Sequence, residues 1–139
     1  FTVHFMKDVY YGSHIDSTLV ALKPGLLLAN PARLSSDTIP PFLKQWEILF
    51  SPPMENQDRY STEYLEQAIG SEWIDMNLFS LGPETVVVDR DQTALIRLLE
   101  SHQMEVIPLK LRHSRMMGGG FHCVTLDTRR RGKMESYFD

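Results

Sequence analysis

The sequence predicts an α/β fold assembled from a repeated strand–strand–helix–strand (ββαβ) unit. Two observations carry this prediction. Residues 22–30 and 81–89 are built alike, 59 positions apart, each entering a tight Pro/Gly turn from an apolar run and leaving it as a strand. The offset also holds on both sides of the turn: Asp16 falls on Asp75 before it, and Glu47 falls within one position of Glu105 after it. Repeats of this length build modular architectures in which each unit buries its faces against neighbours. The competing reading is an ordinary α+β domain whose hairpins match by chance. The shared nine-residue turn and the shared strand after the helix argue against it.

Taken in order, the first module covers approximately residues 9–52. It opens on the run His14-Ile15-Asp16, turns at Pro24-Gly25, and continues through a short helix at 41–46 to a strand at 47–50. A polar, Pro-containing loop and a short helix at 62–69 follow. The second module, approximately 68–110, opens on Trp73-Ile74-Asp75 and turns at Gly82-Pro83. Leu95, Leu98 and Leu99 then fall at helical spacing over 93–102, with Asp91 as candidate N-cap. A strand at 104–109 closes the module. A third, closing module is expected to begin within 118–139, where His122-Cys123-Val124-Thr125-Leu126 echoes residues 14–19. Trp73, Phe50 and Phe79 read as core residues.

Bulk properties exclude several classes. With 139 residues, 42% of them hydrophobic, the chain can bury one modest core. A net charge of −4 argues against a general nucleic-acid or anionic-membrane binder. No apolar run approaches the roughly 18–20 residues of a membrane span, and no basic-then-apolar signal opens the chain. The single cysteine excludes an intrachain disulfide and fits a reducing, cytoplasmic setting. Lacking an initiator Met and opening in what reads as mid-strand, the sequence is expected to be a fragment.

Cys123 follows three consecutive glycines, 118–120. Such a run is costly in backbone entropy, so it predicts an unusual φ/ψ or a close backbone approach. It would give a substrate access to the sulfur past bare main chain, and its N–H groups could stabilise a thiolate. The alternative is a small buried hydrophobe. His14 and Asp16, at i and i+2, would share one face of a strand, which suits proton transfer and the holding of a cation. His122 next to Cys123 would face the opposite side of such a strand, making it a poor base. The remaining histidines show no metal-ligand spacing, and one Cys excludes a multi-thiolate zinc site. Arg33, just past a strand end, can clasp a carboxylate. Arg129-Arg130-Arg131 reads as a solvated face or as a substrate or subunit contact.

These residues resemble a known family. His14-Ile15-Asp16-Ser17-Thr18, Pro24-Gly25, Asn30-Pro31-Ala32-Arg33, Ser71-Glu72-Trp73, Met76-Asn77, Gly118-Gly119-Gly120-Phe121-His122-Cys123 and Arg129-Arg130-Arg131-Gly132 run in the order seen in arginine-dependent amidinotransferases. The resemblance extends from about Val9 to the last residue. It implies a pentein fold, a five-bladed α/β propeller of ββαβ modules, with only the last blades present here. It implies Cys123 as nucleophile and His14 as general acid/base. Asp16 would bind the guanidinium, and Arg33 and Ser71 the α-carboxylate of L-arginine. No metal or organic cofactor is implied. Further acidic residues of the family site lie upstream in full-length relatives, so this chain alone is expected to be inactive. Tyr11 and Ser13 differ from the Asn and Met of vertebrate glycine-amidinating enzymes, and Gly70 replaces a second serine there. These positions border the acceptor pocket in the family. Tyr11 with Ser13 looks closer to bacterial secondary-metabolite members, a saxitoxin-type pathway among them.

The expected partners are therefore L-arginine and an acceptor amine, with a homodimer as candidate assembly of the full-length protein. A guanidine-hydrolysing pentein enzyme such as an arginine deiminase is the alternative within the enzyme class. A non-catalytic repeat domain, whose glycines serve only turns, is the alternative outside it.

Overall fold

The computed structural model describes residues 3–6, 14–55 and 70–132. Two three-stranded sheets form an α/β arrangement in which the second sheet repeats the topology of the first. Strands β1 (Leu19–Lys23) and β2 (Leu26–Ala29) pair antiparallel, and β3 (Glu47–Phe50) joins β2 in parallel. Likewise β4 (Phe79–Ser80) pairs antiparallel with β5 (Thr85–Asp89), and β6 (Glu105–Leu109) joins β5 in parallel. Single hydrogen bonds repeat too: Glu47 N–H donates to Gly25 O at 2.8 Å, and Glu105 N–H to Glu84 O at 2.7 Å. The predicted helix at 62–69 lies outside the described residues.

Sequence chemistry accounts for the local form. Pro24 presets its own φ, and Gly25 adopts φ +82°, the left-handed value that a Pro-Gly reversal requires at its second position. After β2 and β5, buried Asn30 and Asp89 make the same side-chain turn. Asn30 Oδ1 accepts from Ala32 N–H at 2.9 Å and Asp89 Oδ1 from Asp91 N–H at 3.0 Å.

The crossovers differ. In the first module Pro41–Leu43 makes only one 3-10 turn, shorter than the predicted helix. In the second, α1 (Thr93–Ser101) is a full helix; beyond Ser101, Gln103 at a φ of 62° turns the chain so that Met104 N–H donates to Leu99 O. Asp91 is not its N-cap. Asp91 instead pairs with Lys110 Nζ at 2.6 Å, and Glu55 supplies the carboxylate at the helix start. Ala94 N–H, donating to Glu55 Oε2 at 2.8 Å, holds the Glu55 carboxyl below the ordinary glutamate range against the opposing effect of burial.

One core spans both sheets: Leu26 and Leu28 of β2 pack with Val86 and Val88 of β5 and with Leu95 and Leu99 of α1. The alternate side chains of β2, Leu27 and Ala29, turn to a second cluster with Leu34, Ile39 and Leu43. That two-sided burial explains why β2 is an unbroken apolar run. Phe50, expected in the core, is exposed. Among the described residues no helix is long and apolar enough to cross a membrane.

Candidate active site

His14 and Asp16 do not lie on a strand. Ile15–Ser17 is a 3-10 turn, closed by Ser17 N–H and Ser17 Oγ donating to His14 O at 3.1 and 2.8 Å. The short hydroxyl side chain competes for the main-chain carbonyl and favours the turn over extension. The matched run in the second module does the same at Ile74–Met76.

Arg33 is delivered by the Asn30 turn that follows β2. Its Nη1 donates to Ser17 O at 3.0 Å, Ser17 Oγ at 2.6 Å and Thr18 Oγ1 at 3.1 Å, so the guanidinium is tied to the His14–Thr18 turn. Buried Asn30 completes this support, with Nδ2 donating to Ser17 O at 2.9 Å. Ser71 Oγ accepts from Trp73 N–H at 3.1 Å, which orients the hydroxyl while leaving it a proton to donate.

Cys123 is exposed rather than a buried hydrophobe. Its loop follows α2 (Ser114–Met117), and each glycine before it has a separate reason. Gly118 caps α2 at φ +69°. A Cβ on Gly119 would come within 2.8 Å of Cys123 Cβ, and one on Gly120 within 2.6 Å of Asn77 O. Three of the loop N–H groups are bonded to Asn77. Gly120 and Cys123 N–H donate to Asn77 Oδ1 at 2.8 and 3.0 Å, and His122 N–H to Asn77 O at 3.2 Å.

Two residues enter that the sequence did not single out for the site. Because residues 121–124 turn instead of extending, His122 faces the first module, its Nδ1 3.1 Å from Asp16 Oδ2. Asn77 Nδ2 donates to the same oxygen at 2.7 Å. Each contact joins residues far apart in the chain, so no local pattern could have announced it.

The result is one cleft of about 390 Å³ lined by His14, Asp16, Arg33, Ser71, Asn77 and Cys123, with Trp73 and Gly118 on its walls. It brings together His14, Asp16, Arg33, Ser71 and Cys123, but neither Gly70 nor the Arg129–Arg131 run lines it; Tyr11 and Ser13 lie outside the described residues. Arg130 is elsewhere, bonded to Ser80 O and Asp127 at 2.7 Å each and stacked over Phe79. Among the described residues no three His, Cys, Asp or Glu side chains are grouped as metal ligands. A thiol, an imidazole, a carboxylate and a guanidinium around one opening have the chemistry to hold a zwitterionic, cationic substrate.

No family model matches the chain. It is 45% identical over 137 residues to inosamine-phosphate amidinotransferase 1 of Streptomyces glaucescens, an alignment covering 99% of this chain and 38% of that protein. The structure of the inosamine-phosphate amidinotransferase StrB1 from Streptomyces griseus superposes with a TM-score of 0.88 at 46% identity, over 100% of this chain and 39% of that one. Over nearly its whole length the chain is thus similar to part of an amidinotransferase. SxtG, an amidinotransferase from Microseira wollei in the saxitoxin biosynthetic pathway, matches with a TM-score of 0.77 at 35% identity, over 91% of this chain and 36% of that one. The L-arginine:L-lysine amidinotransferase of Pseudomonas savastanoi pv. phaseolicola is 39% identical over 89% of this chain and 32% of its own length. The chain spans about two-fifths of the length of the two Streptomyces proteins it is compared with here.

Proposed function

We propose that the protein transfers an amidino group from L-arginine to an acceptor amine through a covalent intermediate on Cys123. The observation that carries this reading is the single cleft uniting His14, Asp16, Arg33, Ser71 and Cys123 from three separate segments. Arg33 and Ser71 supply donors for the α-carboxylate of arginine, and Asp16 a carboxylate for its guanidinium. The Cys123 thiolate attacks the central guanidinium carbon, forming a C–S bond. The C–N bond to the ornithine nitrogen breaks as His14 gives that nitrogen a proton, leaving an amidino-thioether and free ornithine. An acceptor amine then attacks the same carbon, passes its proton to His14 and expels the thiolate. Splitting one substitution into two in this way predicts ping-pong kinetics.

On this reading the two sheets are neighbouring blades of a pentein propeller, whose other blades complete the cleft. Likeness to inosamine-phosphate and saxitoxin-pathway enzymes supports an acceptor from secondary metabolism.

The test uses the full-length protein with arginine and no amine. Peptide mass spectrometry is expected to find one amidino group on Cys123, discharged when an acceptor amine is added. Cys123→Ala should show neither adduct nor ornithine release. Citrulline release without an acceptor would replace the transferase reading with a hydrolase, and an unreactive Cys123 in the folded protein would leave a non-catalytic domain.

A further inference from the structure

We infer that Asn77 is a positioning residue of this site, fixing the Cys123 loop and the Asp16 carboxylate to each other through one side-chain amide. The inference rests on the proposed roles of Cys123 as nucleophile and Asp16 as guanidinium ligand.

Asn77 is only 6% exposed, and its polar atoms are turned to these two segments. Oδ1 accepts from both Gly120 N–H (2.8 Å) and Cys123 N–H (3.0 Å), filling its two lone pairs. Nδ2 donates to Asp16 Oδ2 at 2.7 Å, a charge-assisted bond across 61 positions of sequence. The main-chain oxygen takes His122 N–H at 3.2 Å. Asn77 is held in turn, with its own N–H on Ile74 O at 2.9 Å closing the 3-10 turn. The bare face of Gly120 lets the loop come this near, since a Cβ there would meet Asn77 O, Cβ and Oδ1 at 2.6, 2.7 and 2.9 Å.

This geometry requires an amide. Asp would keep an acceptor for the loop but set a carboxylate against Asp16, and Ala would lose both links. Thr18, at the matched position of the first module, is too short to span two segments; its Oγ1 accepts from Arg33 instead. Asn77 touches no substrate on this account. It acts through Asp16, which sets how arginine is held, and through the loop, which sets where Sγ stands.

The test compares Asn77→Asp and Asn77→Ala in the full-length protein with the parent, each first checked by circular dichroism. Two readouts are followed: kcat and KM for arginine across pH, and the rate of Cys123 alkylation by iodoacetamide. Asn77→Asp keeps the loop bonds, so alkylation should stay within about threefold, while KM for arginine rises at least about tenfold at neutral pH, the scale of one hydrogen bond to a charged group. Two adjacent carboxylates share a proton, which restores the missing donor, so KM should recover toward the parent as pH falls. The other titratable or charged groups around that pair, His14, His122, Arg33 and Cys123 on the cleft side and Asp75 and Asp89 in the small pocket behind Asn77, are common to both proteins, so the difference between the profiles isolates position 77. Asn77→Ala should change the alkylation rate as well and lower kcat. Unaltered KM, pH profile and alkylation in both variants would overturn the inference. If Asn77→Ala does not fold, the isosteric Asn77→Asp decides alone. Cys123→Ala is measured in parallel: retained transfer there would sink the proposed nucleophile, a failure distinct from that of Asn77.

Discussion

The turns at Ile15–Ser17 and Ile74–Met76 hold the same place in their two modules, yet they serve the site differently. The first presents His14, Asp16 and Ser17 to the cleft. The second presents Trp73, Ile74 and Asn77, a wall and a tether. The same division recurs after the second strand of each module. Asn30 and Asp89 make equivalent turns, but three positions on, Arg33 reaches the cleft while Gln92 binds the main chain of Glu55. A repeated backbone supplies equivalent positions, and the side chains then divide them between holding the fold and lining the cleft.

The sharpest way to break this comparison is to exchange the matched turn residues. Asn30 is fully buried and donates Nδ2–H to Ser17 O at 2.9 Å. Asn30→Asp would remove that donor and aim a buried carboxylate at a carbonyl, costing about 3 kcal/mol or more. Asp89→Asn keeps the oxygen that accepts Asp91 N–H and should cost under about 1 kcal/mol. Urea unfolding of the two variants measures the asymmetry. Equal losses would mean that the two turns are interchangeable supports.

The second pair separates ligand from scaffold. Arg33→Lys keeps the charge but loses the planar fork, so KM for arginine should rise about tenfold with little change in Tm. Gln92→Ala should do the reverse. It strips hydrogen bonds of 2.8 and 3.1 Å from Glu55 in a residue only 4% exposed, destabilising by about 1–3 kcal/mol with KM unchanged. A KM effect from Gln92 would erase the distinction.

These contrasts also mark what the sequence could disclose. The repeat was legible because turn chemistry and strand patterning are local: Pro24-Gly25, the apolar runs 26–29 and 86–88, and the leucines of α1 each carry their own signal. The residues collected in the cleft were legible as types, a lone thiol behind glycines and a His beside an Asp. The form of the segment bearing them was not, since His14-Ile15-Asp16 reads equally well as strand or turn until Ser17 bonds back to His14. Asn77 and His122 were illegible as site residues because their partners lie 61 and 106 positions away. The failed N-cap at Asp91 has the same cause: the group that serves α1 is Glu55, 39 positions from Ala94.

That long-range cap gives the smallest effect, and it tests whether the full helix of the second module depends on the loop joining the modules. Glu55 accepts from Ala94 N–H and from Thr93 Oγ1, and its carboxyl is held below the ordinary glutamate range chiefly by the Ala94 bond. A depressed folded-state pKa means that the stabilisation is fully present above the unfolded value, about 4.3, and is lost as pH falls through the folded value. Glu55→Gln should therefore lower stability at neutral pH by about 0.3–1 kcal/mol, the usual worth of a charge at a helix N-terminus that is open to solvent. Below the folded pKa the parent carries a neutral carboxyl as well, and the two Tm curves should converge. The crossover of the first module is a single 3-10 turn with no side-chain cap hydrogen bond among the described residues, so it offers no counterpart to this pH dependence. A gap between the Tm curves that persists at low pH would show that Glu55 acts on α1 through its shape and hydrogen bonds and not through its charge.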